Sequence, residues 1–146
     1  MATHHEPALR QLSADEALIA LLVAAIETNH DASPEEAARA ERVLHEIPRL
    51  RRLSRIRRGE IIERMKTAVG DYGAAAVMAA ASHWLPPALR SVAMTAIAEV
   101  MLAHGLDRIE SAALLDVAAR FGFTPEDTAA AIDQARRRAF HASKPA

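Results

Sequence analysis

Leu89, Val92, Ala93, Ala96, Ile97, Val100 and Met101 fall on the i, i+3, i+4, i+7 pattern of an amphipathic helix without a miss. A strand would alternate apolar and polar residues, so this stretch predicts a helix, and a helix at the centre of the molecule. The composition points the same way. Apolar residues make up 51% of the chain but aromatics only 3%, and the apolar content lies largely in alanine and leucine, which favour helices over strands. No β-branched alternating run bounded by Asn-Gly or Asp-Gly occurs, so no hairpin is expected. The chain's 146 residues match one ordinary domain. The expectation is an all-α fold, a single compact bundle of about seven helices without sheet.

Residues 1–12 are polar and read as a loosely held lead-in, residues 13–138 as the helical domain, and residues 139–146 as a polar tail. A first helix runs to about Thr28, with Asp15 and Glu16 in its first turn. Leu18, Ile19, Leu21, Leu22, Val23, Ala25 and Ile26 give it an apolar face so wide that it must be mostly buried. Ser33, Pro34 and Glu36 form a capping box that opens a second helix, which carries Ala37, Ala40, Val43, Leu44 and Ile47 inward and stops before Pro48. Leu50, Leu53 and Ile56 recur every third residue, and Ile61, Ile62, Met65 and Val69 prolong the apolar stripe, with Gly59 read as a break or kink. Asp71 is expected to cap an alanine-rich helix closed by Trp84 and the pair Pro86 and Pro87. Leu114, Leu115, Ala118 and Phe121 form the inner face of a later helix ended by Gly122. Thr124 and Pro125 open a last one, through Ile132 to about Arg138.

A formal net charge of −1 provides no overall field for nucleic acid or an anionic membrane, so any such binding must be local. The absence of cysteine excludes a disulfide framework, a thiolate nucleophile and a Cys-type zinc site. No stretch reaches the length of an apolar membrane span, and Met1 to Pro7 lack the features of a secretory signal. These features lead us to expect a cytoplasmic protein without membrane insertion. No Gly-x-Ser-x-Gly elbow, phosphate-binding glycine loop or His-Glu-x-x-His pair is present, so no catalytic residue is assigned and a non-enzymatic role is expected.

Residues 24–47 and 98–121 share one layout: a buried helix, a short polar loop, a cap followed by an acidic residue, and an amphipathic helix. The first loop reads Asn29, His30, Asp31, Ala32, Ser33, Pro34, Glu35, Glu36. The second reads His104, Gly105, Leu106, Asp107, Arg108, Ile109, Glu110, with Phe121, Gly122, Phe123, Thr124 and Pro125 after its helix. This doubled layout resembles the TerB-like tellurite-resistance family, marked by two Asp-Gly loops each followed by a glutamate that opens a helix. The resemblance implies a compact all-α module of a chemical-stress system, with other proteins of that system as partners. It also implies a divalent metal at the two loop-to-helix turns, with Asn29, Asp31, Glu36, His104, Asp107 and Glu110 as the candidate residues. Asn29 and His104 stand where the family has aspartates, and losing two hard oxygen anions weakens a calcium- or magnesium-type site.

An EF-hand is excluded, because Pro34 occupies the sixth loop position, where glycine is required, and Ala40 the twelfth, where glutamate is required. His30 and His104 lie in equivalent loops and form a candidate soft-metal pair, for zinc or nickel, if the loops converge. The other notable cluster is basic. Arg49, Arg51, Arg52, Arg55, Arg57 and Arg58 place six arginines in ten residues. No recognition-helix or RNA-binding pattern and no aromatic residue for base stacking accompanies them, which argues against nucleic acid and for a solvated face or a surface for an acidic partner. The expected function is thus a TerB-like binding module with a divalent metal ion as candidate cofactor. The alternative is a metal-free protein-interaction adaptor that uses the arginine face.

Overall fold

Nine consecutive residues of the first helix, Ala17 through Ala25, are buried, so this helix has no solvent face over its central turns and must be surrounded by others. The computed structural model describes Leu9 and residues 11–28, 33–103 and 112–143, with the side chains of these apart from 112–113 and 139–143. Within these residues the chain is an all-α bundle of eight helices without strands: α1 (Ala14–Glu27), α2 (Pro34–Glu46), α3 (Pro48–Arg51), α4 (Arg55–Tyr72), α5 (Ala74–Trp84), α6 (Arg90–Ala103), α7 (Ala112–Phe121) and α8 (Pro125–Ser143). A 3-10 turn, Pro87–Leu89, leads into α6.

Two helices share the centre. α1 packs against α5, α4, α6 and α2, while α6 packs against α8, α1, α2 and α7. α6 and α8 pack extensively against each other, and both carry buried alanines, Ala93, Ala96 and Ala98 on α6 and Ala131 and Ala135 on α8, small residues that allow helix axes to draw together. The buried apolar residues form one continuous core. Leu9 and Leu12 belong to it at 4% and 5% exposure, so the end of the segment read as a loose lead-in is anchored. No single helix among the described residues is long and apolar enough to cross a membrane. The apolar pair Ala74–Trp84 and Pro87–Ala103 is bent by 119° and buries Val77, Met78, Met94 and Ile97 inside the bundle.

The helix boundaries follow from local chemistry. Ser13 and Ser33 each accept a hydrogen bond from the backbone N–H three residues on, and Glu16 and Glu36 return the bond to the cap N–H, giving two complete capping boxes. Gly122, with φ of 75°, closes α7: its own N–H donates to the Ala119 carbonyl and the Phe123 N–H to the Ala118 carbonyl. This pair of bonds is the Schellman arrangement, and glycine takes the left-handed position without a Cβ penalty.

Several expectations require correction. Among the described residues eight helices are present, close to the expected number of about seven; the break in the basic region falls at residues 52–54, where α3 ends and Ser54 caps α4, and not at Gly59. Gly59 and Gly70 both lie within α4. Asp71 also lies within α4, and the residue that opens α5 is Gly73, with φ of 91° and ψ of 151°. Its N–H closes α4 on the Val69 carbonyl and its carbonyl receives the Val77 N–H, so one residue ends one helix and starts the next. Ile56 is 76% exposed and Leu115 53% exposed, against their expected inward placement. The buried stripe of α7 is Leu114, Val117, Ala118 and Phe121, which leaves Leu115 on the flank. Val92 is 41% exposed while Met94 is fully buried, so the inner face of α6 is rotated relative to the expected stripe. The helical backbone of α8 continues to Ser143, beyond the expected end at Arg138.

These backbone assignments generate opposite expectations for two glycines. A Cβ at Gly59 meets nothing within 4 Å in the middle of α4, so Gly59→Ala is expected to raise stability by about 0.5–1 kcal/mol. Gly73→Ala forces a side chain into a region that only glycine occupies readily and is expected to lower stability by about 1–3 kcal/mol. Urea denaturation of both variants tests the pair; destabilisation by Gly59→Ala would restore the kink.

Candidate functional site

The arginine cluster divides into two sets once its partners are identified. Asp15 and Glu16, in the first turn of α1, face the start of the basic region. Arg49 Nε donates to Asp15 Oδ1 at 2.6 Å. Glu16 Oε1 is held by the Ser13 N–H, while its Oε2 receives Arg64 Nη2 at 2.6 Å and has Arg57 Nη2 at 3.6 Å. Arg58 turns back along the chain, its Nη1 donating to the carbonyls of Leu50 at 3.0 Å and Leu53 at 3.5 Å. It thereby adds a side-chain donor to carbonyls at and just beyond the end of α3 and fixes the turn into α4. Arg49, Arg57 and Arg58 are therefore structural: they fasten α3 and α4 to α1 and to each other.

The side chains of Arg51, Arg52 and Arg55 are exposed and make no hydrogen bond or ion pair among the described residues. They bracket the α3–α4 turn, with Ile56 next to Arg55 and 76% exposed. The first turn of α4 contains no acidic residue, so Arg55 sits at a helix end whose backbone dipole is already positive, whereas Arg51 and Arg52 lie at the C-terminal end of α3. The placement of Arg55 is unfavourable in isolation, and the three charges so close in the chain create a concentrated local field for an anion. An exposed isoleucine among unpaired guanidiniums also provides an apolar contact that a purely solvated face would lack. The sequence located the cluster but missed its division. The available signal was the acidic pair Asp15 and Glu16 at the first helix start, which pairs with two of the six arginines, Arg49 and Arg57.

The metal candidates are placed differently. Among them only Glu36 is described; Asn29, His30, Asp31, His104, Asp107 and Glu110 lie outside the described residues. The Glu36 carboxylate is half-buried and caps α2 through Oε1, 2.9 Å from the Ser33 nitrogen. Among the described residues no group of three or more His, Asp or Glu side chains could hold an ion.

Glu16 has a shifted titration. Burial alone would raise its pKa, but the Ser13 backbone N–H, then Arg64 and the Ser13 hydroxyl, outweigh it and hold the carboxyl below the ordinary glutamate range. Comparison of the chain with protein-family models, with curated proteins and with solved structures returns no match.

A carboxylate with a lowered folded-state pKa contributes stability that is present above the ordinary glutamate range and lost as the pH falls through its lowered value. Glu16→Gln retains the capping acceptor but removes the charge that Arg57 and Arg64 face. It is expected to be less stable than the parent at pH 7 and to show a shallower loss on acidification below about pH 4, as measured by thermal unfolding across pH. Parallel acid profiles for the two proteins would show that the Glu16 cluster contributes nothing.

Proposed function

We propose that this chain is a non-enzymatic protein-interaction module that docks an acidic segment of a partner protein on the α3–α4 turn through Arg51, Arg52 and Arg55, with Ile56 as the apolar anchor. The observation that carries this reading is the division of labour within the cluster: three arginines are consumed in holding α1, α3 and α4 together, and three are unpaired among the described residues, within five residues of an exposed isoleucine. Carboxylates supply the complementary charge, and arginine forks bind them in two-pronged geometry. Nucleic acid is the weaker partner because the turn offers no aromatic platform and the whole chain is slightly acidic. The resemblance of the two loop-to-helix turns to TerB-like proteins supports a setting in chemical-stress response and a cytoplasmic partner of that system.

The second reading is a divalent ion held at those turns, and it rests on Glu36, whose carboxylate is fixed at the opening of α2 in the register the resemblance assigns to it. Titration calorimetry of chelator-stripped protein with calcium, magnesium, zinc and nickel separates the two. The variant of choice is Glu36→Gln/Glu110→Gln, since glutamine retains the Ser33 cap while removing the charge. Saturable heat lost in the double variant supports the metal reading; silence from all four ions removes it.

For the docking surface, a fluorescent peptide of alternating glutamate and leucine is the probe. Binding is expected to weaken about tenfold between roughly 0.05 and 0.5 M salt. It should vanish in Arg51→Glu/Arg52→Glu/Arg55→Glu and weaken in Ile56→Ser, with the thermal midpoint little changed because these side chains contact nothing internal. Equal binding by the triple variant, or tighter binding of a single-stranded oligonucleotide than of the peptide, would overturn the reading.

A further inference from the structure

Residues of α2, the start of α3, α6 and α8 line an open cleft of about 650 Å³, within the size range of small-molecule sites. None of its lining residues is Arg51, Arg52 or Arg55. Its floor is apolar, with Val43 and Ile47 on one side and Leu102 and Ala103 on the other. Arg39 and Arg42, one turn apart on α2, also line it. Both are exposed, and neither guanidinium makes a hydrogen bond or ion pair among the described residues. Arg42 and Glu46 are four residues apart yet form no ion pair. Across the cleft Glu99, 17% exposed, is engaged by Arg138 Nη1 at 3.2 Å. The five charged groups on the walls are thus three arginines against two glutamates, one positive charge in excess, and Arg39 and Arg42, one helical turn apart and unpaired among the described residues, line the cleft together with the apolar residues.

We infer that this cleft binds a small amphipathic monoanion, an alkyl carboxylate or sulfonate, with its head on Arg39 and Arg42 and its chain over Val43, Ile47 and Leu102. Two adjacent guanidiniums without partners are a ready receptor for an oxyanion. The apolar floor gives a tail somewhere to leave water. Glu99 sets the opposing limit. Burial raises its pKa, Arg138 lowers it, and Glu46 adds a like charge, so the carboxyl stands above the ordinary range. An ionised Glu99 at the cleft wall repels a second negative charge, which favours a monoanion over a dianion. Its neutralisation frees Arg138 as a third cation for the head group.

The test is titration of the full chain with octanesulfonate, which stays ionised at all relevant pH values, followed by calorimetry and amide shift mapping. Saturable binding that shifts α2 and α6 resonances is expected, and Arg39→Gln/Arg42→Gln should weaken it by about tenfold or more, as for a lost charge-assisted hydrogen bond. Glu99→Gln should tighten binding by about threefold or more. The Arg51, Arg52 and Arg55 variants should leave it unchanged, so failure here is distinguishable from failure of the docking surface. The inference is overturned if Arg39→Gln/Arg42→Gln binds like the parent, if 1-octanol binds as tightly as octanesulfonate, or if no saturable binding occurs. It is likewise overturned if the chain binds anionic phosphatidylglycerol vesicles through Arg39 and Arg42 but not the soluble sulfonate. The substituted arginines are exposed, so unchanged circular dichroism and thermal midpoint verify that the variants fold.

Discussion

The burial of α1 on every side is the constraint from which the architecture follows. A helix with a polar stripe can lie on the surface of a bundle, but Ala17 through Ala25 have no such stripe, and each buried leucine or isoleucine contributes about 1.5–3 kcal/mol by leaving water. The other helices are arranged to meet that demand: α4 and α5 cover one part of α1, α6 and α2 the rest. Because the interior is fully used in this way, the charged residues of α1 are confined to its ends. Asp15 and Glu16 at the first turn then become the anchors for α3 and α4, and the same residues satisfy the cap and neutralise the incoming arginines.

This arrangement explains why an arginine-rich stretch can be part structure and part surface. The guanidinium groups that reach α1 or the end of α3 find carboxylates or carbonyls. Those on the outer side of the turn find none. The division is set by helix geometry and not by residue type, since Arg55 and Arg58 are only three apart on α4 but differ completely in what they touch. The cleft between α2, α6 and α8 repeats the pattern on a second surface. Arg138 is paired there with a largely buried glutamate, while the side chains of Arg39 and Arg42 have no partner among the described residues.

Much of the fold was legible in the sequence because its signals are local. Ser33, Pro34 and Glu36 specify a helix start through bonds made within four residues, and Gly122 specifies a stop in the same way. The long apolar runs of α1 and α6 mark helices by composition and period alone, although the period of α6 misplaces its inner face, leaving Val92 exposed and Met94 buried. What was misread depends on contacts distant in sequence. Ile56 sits on an apolar rhythm with Leu50 and Leu53, yet the turn at residues 52–54 resets the helical phase, so a period counted across it carries no information about burial. Gly59 was read as a break because glycine weakens helices, but tertiary packing of Ile61, Ile62 and Met65 holds α4 through it. The arginine cluster was found; its division required knowing that Asp15 and Glu16 fold back on it from more than thirty residues away. The six metal candidates other than Glu36 fall outside the described residues, and sequence alone could not bring the two loops together.

The completeness of α1's burial also bears on how the molecule is made. Ribosomal synthesis is vectorial, and α1 emerges before α4, α5 and α6, the helices that cover it, have been polymerised. For that interval a helix with no hydrophilic side over its central turns has nowhere intramolecular to place it. A nascent segment of this kind is a natural client for holdase chaperones and an aggregation hazard when translation stalls. The feature that gives the mature bundle its organising centre therefore makes the half-synthesised chain its most vulnerable form.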